Sequence, residues 1–548
     1  MTSTRTERAE PESSSAKRLE PKRSEFKRSE FKRSEFKRSG RKRSGLKRSG
    51  LKRSGLKWSL WWGVLALGSL FCAGASAAPA LPASAPTSGA PTSGAPSAAP
   101  APPLRPSELS GARWERWRAQ ISAGPMNGAV GYYEARLWLR LQRPGTVSLL
   151  LWELDREGEP AAPPMRRGPF QSGGEDQRLL SVTLEGLTPG RRYRYALEVA
   201  GELLVAPWPL ELQTLARWHY LGPPPDARFA IGSCAYHNRA EGERYGGQEE
   251  IFEAIRGLRP DMMLWLGDNI YLRPEDWDSR AGIFRRYAWS RSRPSLQPLL
   301  GGTHHYAIWD DHDYGPNDSN WSFPRKGDAL DAFRSYWLNP SYGLPTLPGN
   351  FTSFSWSDVD FFLLDGRSFR APTRAPRALD KPLLGAQQLR WLLDALQGSR
   401  ATFKIVALGT QVLSRFGRWE GYSRHPRERD ALIEGIKLRG IEGVLFLSGD
   451  RHHSELIRDD LDPHFYPLYE FTSSPLTSRP ASGPAEESRL QVPGTLVLGQ
   501  RNFGLIELSG RGDERRLTLE SRGLEGELLW RYLIPARSLK LPAPHGRR

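Results

Sequence analysis

Apolar and polar positions change rhythm partway along this chain. Over residues 132–141, 146–152 and 179–184 they alternate with the two-residue period of half-buried strands. Leu187-Thr188-Pro189-Gly190-Arg191-Arg192-Tyr193-Arg194-Tyr195 reads as a turn feeding another strand. Short strands separated by turns predict a β-sandwich over residues 107–222. Beyond Pro223-Pro224-Pro225, continuous apolar runs alternate with helical spacing. Runs at 228–233, 261–266, 305–309, 359–364, 403–408 and 444–447 have the length and composition of buried strands. Residues 248–258 place Ile251, Ile255 and Leu258 on one helical face. Residues 385–397 do the same for Leu389, Leu392, Leu393 and Leu396. This alternation predicts an α/β core with helices outside the sheets. In such folds ligands gather at the carboxyl ends of the strands.

The first hundred residues follow neither rhythm. From Lys22 a pentapeptide repeats, KRSEF three times, then KRSGR, then KRSGL three times. A repeat without an apolar face buries no core, so residues 1–57 are expected to be a disordered basic tail. Residues 58–78, WSLWWGVLALGSLFCAGASAA, are long and apolar enough to cross a bilayer, and they end in an Ala75-Ser76-Ala77 cleavage pattern. They read as a signal-peptide core or a membrane anchor, with cleavage and the true start codon left open. Lys52-Arg53-Ser54-Gly55-Leu56-Lys57 loosely resembles a twin-arginine export motif. The expectation is export across the inner membrane to a periplasmic, cell-envelope or membrane-anchored location, with membrane contact through residues 58–78. Residues 79–106 form a Pro/Ala/Ser/Gly linker, and 536–548 a basic C-terminal tail.

Charge and cysteine content narrow the function classes. The net charge is +17, but residues 1–57 hold 20 Lys+Arg against 7 Glu, which leaves 58 basic and 54 acidic side chains for the remainder. The folded part is close to balanced, so nucleic acid drops out as a specific partner. Two cysteines in 548 residues exclude a disulfide scaffold and a zinc-ribbon array.

Residues of metal-binding type stand directly after several apolar runs. Ser233-Cys234 follows the first, Gly267-Asp268-Asn269-Ile270-Tyr271 the second, Asp310-Asp311-His312-Asp313 the third, and Gly449-Asp450-Arg451-His452-His453 a late one. Carboxylates gathered at strand ends repel one another unless cations neutralise them, so a multi-metal site is the economical explanation. Singly, each has a plainer reading. Asp268 suits a turn, Cys234 a small buried apolar position, His452 a structural histidine and 310–313 a solvated loop.

In this order and spacing, GSC (232–234), LGDNIY (266–271), WDDHD (309–313), FLLDGR (362–367) and SGDRHHSEL (448–456) resemble the PhoD-type alkaline phosphatases/phosphodiesterases. These are a branch of the calcineurin-like metallophosphoesterases. The resemblance covers residues 226–535 and implies an αββα sandwich. The L-x-P-G-x-x-Y-x-Y run before it resembles a fibronectin type III domain, the small β-domain such enzymes often carry. The family likeness implies Fe3+ held by Cys234, by Asp268 as the bridging carboxylate and by Tyr271, with Ca2+ beside it. Asp450 and His452 match two further ligand positions. Asp311 falls where the wider superfamily has a metal-binding Asn, His312 where it has its catalytic His, and Gln411 where it often has a His ligand. Asn269 and Arg451 are candidates for binding non-bridging phosphate oxygens. Thiolate and phenolate donors suit a trivalent iron, and oxygen donors suit calcium.

The implied activity is hydrolysis of phosphate mono- or diesters by a metal-activated water, the two substrate classes remaining open. WDDHD departs from the commoner WDDHE in its last acid. His453, His304 and His305 are further candidates for ligands, pocket walls or structural roles. The competing reading is a phosphate- or polyanion-binding surface protein on a decayed enzyme fold.

Overall fold

In a computed structural model of the chain, the described residues are 111–542, apart from 175, 239–244, 377–378, 417–418 and 483–488. The basic tail, the apolar segment 58–78, the linker 79–106 and the end of the C-terminal tail lie outside them. Among the described residues no helix is long and apolar enough to cross a membrane.

The six apolar runs form strands within a residue of their expected limits: Ala227–Gly232, Met262–Leu266, His304–Ile308, Val359–Leu363, Phe403–Ala407 and Val444–Ser448. Every residue of Met262–Leu266, Phe403–Ala407 and Val444–Ser448 is buried, as strands covered on both faces require. The first three lie side by side and parallel in a nine-stranded sheet. Its order is Leu528–Pro535, Arg516–Arg522, Phe503–Ser509, Ala227–Gly232, Met262–Leu266, His304–Ile308, Ile121–Val130, Glu134–Leu141 and Leu179–Glu185. The other three are neighbours in a six-stranded sheet, ordered Thr352–Trp356, Val359–Leu363, Phe403–Ala407, Val444–Ser448, Leu468–Thr472 and Glu455–Asp459.

Strand periodicity sorts the side chains between layers. Phe229, Ile231, Leu264 and Leu266 face the second sheet and share a core with Phe361, Leu363, Ile405 and Leu445. The alternate residues Ala230, Met263, Trp265 and Ala307 face helices Ile251–Gly257, Arg280–Arg291 and Lys326–Tyr336. Helices Ala386–Gly398 and Pro426–Leu438 add Leu392, Leu396, Leu432 and Ile436 to the second sheet's packing. The result is an αββα sandwich.

The alternating N-terminal segment also folds as two facing sheets. Strands Thr146–Leu154, Met165–Gln171, Arg192–Val199, Glu202–Leu204 and Glu211–Gln213 make one of them. The other is the far end of the nine-stranded sheet, and Leu137, Leu139, Leu149, Leu151, Leu180 and Leu197 fill the space between. In the predicted turn, the Tyr193 hydroxyl accepts from the Thr188 backbone N–H at 2.8 Å, holding the corner into the strand. Ile121–Val130 runs parallel to His304–Ile308, with Asn127 opposite His304. One sheet therefore passes from the N-terminal sandwich into the α/β core.

Candidate metal centre

Backbone hydrogen bonds sew the strand ends together. Cys234 N donates to Gly267 O at 3.2 Å, Ala235 N to Asp268 O at 2.8 Å, Leu272 N to His312 O at 3.0 Å and Gly449 N to Gly409 O at 2.9 Å. Glycine makes two of these approaches achievable. A Cβ on Gly267 would lie 2.7 Å from Asp310 Cβ, and one on Gly449 would lie 2.6 Å from Ser233 Oγ. The chain then turns through left-handed backbone at Cys234 (φ 58°), Asp268 (51°), Asp450 (65°) and His452 (56°). Non-glycine residues seldom adopt that conformation, and such strain concentrates where side chains are aimed for function.

The aimed side chains converge. Ligand atoms of Asp268, Asp311 and His312 lie within 4.8 Å of one another. Cys234 Sγ is 3.7 Å from Asp268 Oδ2, and Tyr271 Oη is 3.4 Å from His452 Nε2. The His312 ring lies over that of Tyr271 at 4.4 Å between centroids. Asp268, Asp311, His312, Asp450, Arg451 and His452 line one cleft of about 830 Å³. Ser474 donates to Cys234 Sγ at 3.1 Å and accepts from His452 N at 3.1 Å, setting both ligands at once.

Cys234 and Tyr271 are buried behind the cleft's lining, against Asp268 and His452, and two further expected residues, Gln411 and Asn269, do not line it either. Gln411 is buried, and its amide nitrogen donates to Glu455 Oε1 at 2.6 Å and Thr472 Oγ1 at 2.9 Å. Asn269 is fully buried with its amide donating to Ile308 O at 2.8 Å, so it joins two strand ends and does not face the cleft. Of the extra histidines, His453 lines the cleft with Nε2 3.0 Å from Glu455 Oε1. His304 and His305 are buried and bonded to backbone carbonyls of Gly128 and Leu299. Asp313, the departing acid of WDDHD, accepts from the backbone N–H groups of Asp310, Asn269 and Ile270, and so clamps one ligand loop to the next.

Sequence reasoning missed a second acidic group. Ligand oxygens of Asp311, Asp318 and Glu420 also lie within 4.8 Å of one another. Asp318 could have been flagged by its closeness to the WDDHD motif. Glu420, in Arg418-Trp419-Glu420-Gly421, carries no such signal. Buried Arg367, from the FLLDGR motif, holds this wall: it donates to Asp310 Oδ1 at 2.6 Å and to Glu420 Oε2 at 2.6 Å, and Arg370 donates to Glu420 Oε1 at 2.7 Å.

The electrostatics are those of a site built for cations. Burial, then the Asp311 charge, pushes Asp268 well above the usual carboxylate range. Burial, then Asp268, does the same to the Cys234 thiol, and burial raises Asp450 to about 7 against the pull of Arg451. Burial acts to raise Asp311 too, but His312 and Arg367 hold it low. Burial lowers His452 to about 4, leaving the neutral imidazole that a metal requires. Asp310 Oδ2 and His312 Nδ1 are buried without a hydrogen-bond partner. Crowded anionic donors that resist ionisation, beside unpartnered polar atoms, fit metal binding. A cation would supply the missing charge.

Comparison with known proteins agrees with this geometry. The family model described as PhoD-like phosphatase matches residues 229–525, more than half the chain. Alkaline phosphatase D of Bacillus subtilis (strain 168) is 24% identical over 381 residues, covering 58% of this chain. The match spans 62% of that relative's own length. A solved structure titled "Structure of PhoD" superposes with a TM-score of 0.61 at 18% identity, covering 76% of this chain and 89% of its own. A purple acid phosphatase from yellow lupin (Lupinus luteus) seeds gives 0.56 at 11% identity, covering 77% and 78%. At these identities the two structures speak to the fold alone.

Proposed function

This chain belongs to the PhoD-like phosphatase family, and from that premise we propose that it is an exported, metal-dependent phosphoesterase acting on phosphate mono- or diesters. One observation carries the reading: Asp268, the Asp311-His312 pair and the Asp450–His452 segment, from three separate strand ends, line a single cleft, with Cys234 Sγ behind it 3.7 Å from Asp268 Oδ2. Cys234, Asp268 and Tyr271 would hold Fe3+, because thiolate and phenolate stabilise a trivalent ion, with Asp450 and His452 supplying further donors. Asp311, Asp318 and Glu420 offer the oxygen-only set that suits Ca2+. When bound, such metals polarise phosphoryl oxygens and bring the pKa of a water toward neutrality. His312, its ring braced on Tyr271, would hydrogen-bond or protonate the departing oxygen. Arg451 would hold a non-bridging oxygen from the cleft wall. The apolar segment 58–78 supports export, and residues 226–535 would form the catalytic part behind the sandwich 107–222.

Elemental analysis of the purified protein for iron and calcium, with assays on p-nitrophenyl phosphate and bis-p-nitrophenyl phosphate, tests this. Turnover should fall roughly a hundredfold or more in Cys234→Ala and in Asp268→Ala, together with bound iron. Full activity and full metal content in both variants would refute the assignment. Metal and phosphate binding without turnover in the wild type would favour the decayed-enzyme reading.

A further inference from the structure

Among the helices that cover the nine-stranded sheet lies a buried arginine with no acid in contact. Arg291 closes helix Arg280–Arg291 and is fully buried. Its guanidinium carbon stands 3.7 Å from the centre of the Trp337 ring. Nε and Nη2 are buried without a hydrogen-bond partner, and among the described residues no carboxylate makes an ion pair with them. Three further donors share this condition: Tyr287 Oη, Ser290 Oγ and Trp337 Nε1. Ser290 and Arg291 stand three and four positions after Tyr287 on one helix, which puts all three on one face. Opposite that face, Tyr336 stacks on Tyr287 at 5.4 Å between centroids, and Trp337, next in the chain, lies under Arg291. Two successive contacts between the same two segments therefore gather the five atoms in one buried neighbourhood. None of these residues lines the metal cleft.

Protein interiors leave few buried donors unpaired, because each gives up its water and needs a replacement. The acid that acts on Arg291 through space, Asp313, is already engaged: Oδ1 accepts from Asn269 N and Ile270 N, and Oδ2 from Asp310 N. Burial lowers the Arg291 pKa to about 10 against the pull of Tyr287 and Asp313, as it does for a cation short of a contacting partner. The donor chemistry then selects the occupant. Guanidinium and indole N–H groups only donate, so a water here could pass its protons only to the Tyr287 and Ser290 oxygens. An anion accepts from all five atoms and answers the charge as well. Between two closely packed segments, a single-atom anion fits better than a phosphate or sulfate.

We propose that Arg291, Tyr287, Ser290 and Trp337 form a buried halide site, taking chloride, that joins helix Arg280–Arg291 to the chain leaving helix Lys326–Tyr336. It stands or falls independently of the phosphoesterase reading.

Urea denaturation of the full chain, dialysed free of halide and then titrated with sodium chloride against sodium gluconate at constant ionic strength, tests this. The wild-type midpoint should rise with chloride, following the logarithm of its concentration once the site begins to fill, and sodium bromide should act alike. Arg291→Met should abolish the rise, and Tyr287→Phe should weaken it. If the methionine variant does not fold, Tyr287→Phe and Trp337→Phe carry the comparison. Equal wild-type midpoints in the two salts would overturn the proposal. A chloride-dependent rise that is undiminished in every variant would overturn it too, by placing the ion elsewhere. In crystals grown from bromide, an anomalous peak between Arg291, Tyr287 and Trp337 supports the site, and an ordered water in that position refutes it.

Discussion

Arg367 is the cation that pairs with the acids of two separate loops beside the site, Asp310 and Glu420. Fully buried, it sits against Asp310 and Glu420 and donates to Ser319 O at 3.2 Å, tying the WDDHD loop to the wall that bears Glu420. Replacing it with methionine leaves buried Asp310 without a cation and Glu420 with Arg370 alone, and we expect Arg367→Met to lower stability by about 3–5 kcal/mol in urea denaturation at pH 7. Arg367→Lys should recover little, because one ammonium cannot span both acids as the planar guanidinium does. A cost below about 1 kcal/mol for the methionine variant would mean that these ion pairs do not hold the wall. The ligand motifs were legible because each is a run of neighbours: GDNIY and DDHD put their donors within a few residues by covalent connection. Glu420 and Ser474 were not legible. Each reaches the site through a loop with no apolar period, and nothing local distinguishes them from surface polar residues. Gln411 and Asn269 present the opposite case: each has its amide nitrogen bonded away from the cleft, and a position near a strand end says nothing about which neighbour will claim an amide.

Among the elements, the strand His304–Ile308 shows how burial converts into pH dependence. His304 spends both ring nitrogens on backbone: Nδ1–H donates to Gly128 O at 2.8 Å, and Nε2 accepts from Gln213 N at 3.2 Å. Burial lowers its pKa to about 4, partly offset by the bond to Gly128 O, and burial takes His305 to about 3. A histidine with a depressed folded pKa is protonated first in the unfolded chain. Its contribution is intact above pH about 6.5 and declines as the pH falls toward 4. For His304 the full loss is roughly 3 kcal/mol. Urea midpoints measured at pH 7, 6 and 5 should therefore fall on acidification, and His304→Gln should fall less steeply than the wild type. Parallel slopes would mean that His304 is not a buried neutral group. The strand itself was legible from its apolar run to within one residue. The role of His304 depended on Ile121–Val130 arriving alongside, and a pattern within one strand does not name its neighbour.

At the level of the whole molecule, the shared sheet is the organising fact. Ile121–Val130 covers the edge of His304–Ile308, and Ala123, Met126 and Trp138 pack into the same core cluster as Met263, Trp265 and Trp309. A truncated chain beginning at residue 226 would expose that edge and open that core, so it should be recovered aggregated or insoluble, judged by size-exclusion chromatography. A monodisperse truncated protein with wild-type iron content would show that the sandwich is dispensable to the core. The order of apolar and polar residues along the chain was enough to specify six central strands, two of the helices that cover them and the motifs at the strand ends, because side-chain period and covalent neighbourhood are local properties. Tertiary structure alone decided that one sheet spans both halves and that Glu420 and Asp318 make a second acidic group beside the first. Those outcomes depend on where loops without periodicity come to rest, which is set by long-range packing and by ion pairs such as Arg367 with Glu420.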